Sequence, residues 1–128
     1  MIFRNKNGET LILGCPDSNS MCGYHDFPGG RIREDEINED ILNIVKREVE
    51  EELGDEIEYK ITEKPVAIGR HYHKEKCFFW IIFEAEYSGG EIKISDEHSS
   101  SRWVAIDKDN YGDYFVNGPR EVMRNYFL

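Results

Sequence analysis

Apolar and polar residues trade places regularly along the start of the chain. Ile2-Phe3 and Leu11-Ile12-Leu13 flank Asn5-Lys6-Asn7-Gly8, where Asn-Gly favours a tight turn because both residues accept the left-handed backbone region. This predicts strand, turn, strand over residues 2–14, then a loop through Pro16 and Gly23. The period then changes. Ile41, Leu42, Val45, Val49 and Leu53 recur at three- and four-residue steps, Asn38 offers an N-cap and Gly54 a stop, so a main helix is predicted over residues 39–53. Residues 65–72 and 77–87 are rich in β-branched and aromatic side chains and read as strands. Ser88-Gly89-Gly90 reads as a turn into a further strand over 91–95, and residues 102–106 as another. After Gly118-Pro119, Val122, Met123 and Tyr126 return at helical spacing, with proline at a favoured first helical position. The expected class is α+β, a mixed sheet with two helices.

Composition narrows this picture. A chain of 128 residues buries one core, and neither a repeat nor a low-complexity linker divides it, so a single domain over residues 1–128 is expected. The net charge of −10 opposes a surface that grips a long nucleic acid, because such affinity comes from neutralising many phosphates. It is compatible with a small nucleotide-like substrate, since a bound cation can reverse the sign of a local site. The opening residues lack the basic region and apolar run of a signal peptide, and no stretch approaches the ~18 apolar residues of a membrane span. A cytoplasmic protein without membrane contact is expected. Cys15, Cys22 and Cys77 contain no Cys-x-x-Cys pair, so neither a disulfide framework nor a zinc site with His25, His71 and His73 is indicated. Oligomeric state is open, a homodimer among the options.

The chemistry concentrates in Arg47-Glu48-Val49-Glu50-Glu51-Glu52-Leu53-Gly54. At 3.6 residues per turn, Glu48, Glu51 and Glu52 share one helix face while Val45, Val49 and Leu53 share another. Like charges at that spacing destabilise a helix by a few tenths of a kcal/mol per pair, a conflict that a hard cation such as Mg2+ or Mn2+ resolves. Arg47, four residues before Glu51, is placed to orient a carboxylate.

Upstream stands Phe27-Pro28-Gly29-Gly30-Arg31-Ile32. Gly30, Glu36, Arg47, Glu48, Val49, Glu51, Glu52 and Gly54, in that order, resemble the Nudix box of MutT-type pyrophosphohydrolases. Ten residues rather than seven separate Glu36 from Arg47, so either Glu36 or Glu39 takes the box's first glutamate, and Asp55 stands where an apolar residue is usual. The resemblance implies an α/β/α sandwich with a mixed sheet between helices, and water attacking phosphorus in a nucleoside diphosphate linked to another group. It implies metal at Glu48, Glu51 and Glu52 with a carbonyl from Gly30, and a further metal-binding or basic role for Glu97. Catalytic roles fall on Arg47, Glu48, Glu51 and Glu97, and substrate contacts on Gly29, Phe27 and Asn117, the last two as base-binding residues. A MutT-like (d)NTP or nucleoside-diphosphate pyrophosphohydrolase ranks first. A GDP-mannose-type sugar-nucleotide hydrolase, which Asp96-Glu97-His98 and Arg102-Trp103 also resemble, ranks second, and a non-catalytic nucleotide sensor third.

Overall fold

The computed structural model describes residues 1–16 and 24–128, which leaves Cys22 and Gly23 outside the described residues. Strand β1 (Ile2–Arg4) and β2 (Thr10–Gly14) form the opening hairpin. Asn5 Oδ1 accepts from the backbone of Asn7 and Glu9 at 2.9 and 3.0 Å, and Gly8 adopts φ 75°, so the Asn-Gly chemistry turns the chain as its sequence predicts. β1 then runs parallel to β7 (Glu84–Gly90), whose other edge pairs antiparallel with β4 (Ile57–Ile61). β2 pairs with the short β3 (His25–Asp26) and along its whole length with β8 (Ser100–Val104). The result is a mixed six-stranded sheet.

Alternation along these strands builds two cores. Phe3, Leu11 and Leu13 face Val49 and Leu53 of helix α1 (Ile41–Leu53), whereas Ile2 and Ile12 face Val122 and Met123 of helix α2 (Asn117–Tyr126). Because successive strand residues point to opposite faces, the sheet lies between the helices as the middle layer of the expected sandwich. Among the described residues no helix is long and apolar enough to cross a membrane.

Three expectations need correction. The main helix starts at Ile41, capped by Asp40, whose side chain accepts from Leu42 N at 2.8 Å. Asn38 is displaced from that role because a 3-10 turn over Glu34–Glu36 uses up the preceding chain. Second, Ile57–Ile61 is a strand that the reading passed over, though Ile57, Tyr59 and Ile61 pack on the α1 core with exposed Glu58 and Lys60 between them. Third, Ser88-Gly89-Gly90 ends β7 rather than turning into a strand. Gly90, at φ 90°, sits where a Cβ would overlap the Glu56 carbonyl. Residues 91–95 instead cross the end of α1, where Lys93 N donates to Leu53 O at 2.8 Å and Ser95 N to Glu52 O at 3.1 Å. These bonds satisfy helix-end carbonyls that have no partner within the helix.

A second sheet consists of β5 (Ala67–His73) and β6 (Lys76–Ile82), joined by Lys74-Glu75. Helix α2 covers the outer edge of β5 through residues four apart. Asn117 exchanges hydrogen bonds with Tyr72 N and O, Glu121 accepts from Arg70 N, and Asn125 donates to Ile68 O. Strand groups that would otherwise invite another strand are thereby satisfied. The Asn117 amide, expected to contact a base, is hydrogen-bonded to the Tyr72 backbone.

Candidate active site

Position of the Pro28-Gly29-Gly30 segment is set from both sides. The buried amino group of Met1 donates to Pro28 O at 2.5 Å, and Gly29 N donates to Glu52 Oε2 at 2.8 Å. Gly30 stands so close to Glu48 that a Cβ there would overlap its carboxylate. Close approach thus applies at Gly30, and the segment brings backbone against two acids of α1 that lie one turn apart. Phe27, only 5 % exposed, packs on Phe115 at a centroid separation of 4.7 Å. Its ring packs into the α2 core while also lining the cleft beside Gly30.

Arg47 organises the other side. Its guanidinium forks onto both oxygens of Glu36 and reaches Glu48 at 2.6 Å, Glu51 at 2.9 Å and the carbonyl of Arg31 at 3.2 Å. Glu36 also accepts from Arg33 N at 2.8 Å, so of the two glutamates left open by the sequence it is Glu36 that engages Arg47. Glu39 turns to Asn43 at 2.8 Å. The hydrogen bonds from Arg47 and Arg33 hold the Glu36 carboxyl below the usual carboxylate range.

The three acids of the motif do not converge as drawn from helix geometry alone. Glu48 points to the cleft beside Gly30, and desolvation, partly offset by Arg47, pushes its carboxyl up. Glu52, 6 % exposed, is held by Gly29 and by His98 Nε2 at 3.3 Å. Glu51 turns aside to Arg33 and Arg47; desolvation pulls its carboxyl up, but the two arginines outweigh it and leave the group lowered. Like charges at this spacing repel, and the carboxylates divide between two sets of partners, Glu48 and Glu51 on Arg47 and Glu52 on Gly29 N and His98. Among the described residues no three His, Cys, Asp or Glu side chains are gathered into an ion-holding cluster.

His98 stood in the sequence only within Asp96-Glu97-His98, with no role of its own. The strap over residues 91–95 carries the turn at Asp96–His98 onto the end of α1, and there His98 is buried against Glu52 while Glu97 is exposed. The inward group of this turn is therefore His98 and not Glu97. Desolvation opposes the charged imidazole, yet Glu52, Asp26 and Glu97 together raise its pKa. Asp26 is itself pushed up by burial.

Of these groups Asp26, Gly29, Gly30 and Glu48 border a cleft of about 1050 Å3. One wall is Ile32 and, from α1, Ile44 and Glu48; the other is β6, with Phe78, Trp80 and Ile82. His71 enters it stacked on Trp80 at 4.9 Å.

The family model described as the NUDIX domain matches residues 1–126. No curated protein matches the chain. Among solved structures, the MutT protein of Methanosarcina mazei Go1 is similar at 28 % identity and TM-score 0.73, over 98 % of this chain and 85 % of that one. An Ap4A hydrolase of C. elegans shares the fold at 19 % identity and TM-score 0.56, over 80 % of this chain and 74 % of that one. An ADP-ribose pyrophosphatase of Streptococcus suis does so at 19 % identity and TM-score 0.55, over 81 % and 72 %. A domain match that spans nearly the whole chain, on a fold that seats the Arg47–Gly54 helix against Gly29-Gly30, makes this chain a member of the Nudix family, a hydrolase of phosphoanhydride bonds.

Proposed function

We propose that the chain is a MutT-like pyrophosphohydrolase acting on a (d)NTP or another small nucleoside diphosphate derivative. The observation that carries this reading is the apposition of Gly29-Gly30 to Glu52 and Glu48 at one end of a largely apolar cleft. Nudix enzymes generally use divalent metal ions, and the donors present suit Mg2+ or Mn2+, which prefer carboxylate and carbonyl oxygen. Glu48 fits best, since it is desolvated and raised, so a cation would relieve the cost of its charge. Glu52 and Glu51 would complete the carboxylate set, and the Gly30 carbonyl would be the backbone donor. When bound, the ion polarises phosphoryl oxygens and lowers the pKa of water.

The chain's own groups do the rest. Arg47 holds Glu48 and Glu51 in register through its fork, and His98 holds Glu52 from behind. The apolar walls exclude water from the bonds being exchanged and suit a flat base. In the reaction the oxygen of water bonds to phosphorus and one of its protons passes to solvent, the bridging P–O bond breaks, and the departing phosphate keeps that electron pair. A small substrate rather than a long nucleic acid is consistent with the net charge of −10, and the exposed Cys77 thiol suits the reducing cytoplasm.

Sugar-nucleotide hydrolysis stands second: His98 at Glu52 favours it, whereas Ile32, Ile44 and Trp80 offer little to a hydroxyl-rich sugar. A purely sensing domain leaves the intact acids without a use. A screen of (d)NTPs, sugar nucleotides and dinucleoside polyphosphates with Mg2+ or Mn2+ tests the proposal. Nucleoside monophosphate with pyrophosphate, abolished by chelator, is expected; sugar release, or binding without turnover throughout the screen, overturns it.

A further inference from the structure

We propose that the outer face of the β5–β6 hairpin is the contact surface of a homodimer, an inference independent of the substrate reading. In this hairpin Gly69 and His71 on β5 and Trp80 and Ile82 on β6 point inward. The outward residues form three cross-strand pairs, Ile68 with Ile81, Arg70 with Phe79, and Tyr72 with Cys77. A hairpin with one face against a core ordinarily turns polar residues to water. Here Ile68, Tyr72, Phe79 and Ile81 are between 58 and 76 % exposed, which makes the hairpin apolar on both faces.

Area and charge identify the occupant. An aromatic side chain buries ~150–250 Å2, so these four residues with their neighbours present on the order of 500 Å2 of apolar surface, near the top of the range for the largest patch of a monomer. Two such faces packed together remove about 1000 Å2 from water, the lower bound for a specific interface. Charge decides between surfaces of the same size. At −10 per chain most faces of two copies repel, but the one charged side chain among these six is Arg70, already neutralised by Glu121 at 2.6 Å. The edge of β5 is closed by Asn117, Glu121 and Asn125, so the copies meet face on face and not by adding strands at that edge. A self-complementary patch of this kind gives a closed two-fold pair.

Sedimentation from low to several hundred micromolar protein tests this without reference to activity, which matters because Phe79 and Ile81 also line the cleft. The parent is expected to form a reversible dimer with a micromolar dissociation constant. Phe79→Asp is expected to raise that constant at least about tenfold, as loss of a central aromatic contact does. Ile37→Asp, altered at a residue 78 % exposed before α1, is expected to dimerise like the parent. Should Phe79→Asp fail to melt cooperatively, Tyr72→Asp repeats the test from the neighbouring strand. A parent that stays monomeric over the whole range overturns the proposal, including one that instead sediments with phosphatidylcholine vesicles. So does a folded Phe79→Asp variant that dimerises as tightly as the parent.

Discussion

Gly30 and Asp26 show how much single positions carry in this fold. At Gly30 the space a methyl group would take is filled by the Glu48 carboxylate, the mobile end of a long side chain. Gly30→Ala is therefore expected to fold, with a stability loss of about 1 kcal/mol or less, while displacing Glu48 and reducing turnover at least tenfold. A variant with full activity would show that this apposition is not needed. Asp26 is buried with its carboxyl pKa raised by desolvation, even though its Oδ1 accepts from Phe27 N at 2.7 Å. A raised carboxyl favours folding while protonated, so its stabilising contribution is complete below the unfolded aspartate value near ~4 and is lost as pH rises through the folded value. Asp26→Asn keeps the acceptor and never ionises. Its melting temperature is expected to exceed the parent's at pH 8 and to match it near pH 4; an Asn variant less stable at pH 8 would contradict the sign.

At the scale of elements, the β5–β6 turn departs from its own sequence preferences. Lys74 and Glu75 occupy φ 48° and 63°, where only Gly, Asn and Asp rest at low cost. Replacing the pair by Asn-Gly is expected to stabilise the protein by roughly 1 kcal/mol, read as a higher urea midpoint at unchanged slope. A lower midpoint would mean that Lys74 makes contacts worth more than the backbone strain. Nothing in Lys-Glu announces positive φ, so the sequence carries no signal for this turn. The opening hairpin was legible for the opposite reason, since Asn5 and Gly8 carry the turn chemistry themselves. Strand β4 did alternate, as Ile57-Glu58-Tyr59-Lys60-Ile61, but it was passed over beside the stronger helix signal. The Gly89-Gly90 pair misled: it permits a close approach to Glu56, and the strand expected beyond it spends its donors on helix-end carbonyls.

Across the whole molecule, periodicity made the helices and the faces of α1 legible, whereas the three-layer order and the Gly29-Gly30–Glu48–Glu52 grouping were legible through the resemblance of the motif. What escaped depends on tertiary register. The choice of His98 over Glu97, the selection of Glu36 by Arg47, and the use of Asn117 to cover β5 each follow from how distant segments settle on one another. The central claim is that these helix acids hold catalytic metal, and Glu52→Gln tests it most directly. Glutamine keeps the acceptor for Gly29 N and the side-chain shape but removes one negative charge. Hydrolysis of a confirmed nucleotide substrate and melting temperature with and without Mg2+ are measured beside the parent. Turnover is expected to fall by about two orders of magnitude or more, since transition-state electrostatics is worth several kcal/mol and ~1.4 kcal/mol is tenfold. Without metal the variant is expected to melt near the parent, because lost repulsion with Glu48 and Glu51 offsets the lost contact with His98. Added Mg2+ should raise the parent's melting temperature and leave the variant's nearly unchanged. Full turnover in Glu52→Gln, with an undiminished response to Mg2+, would contradict the account.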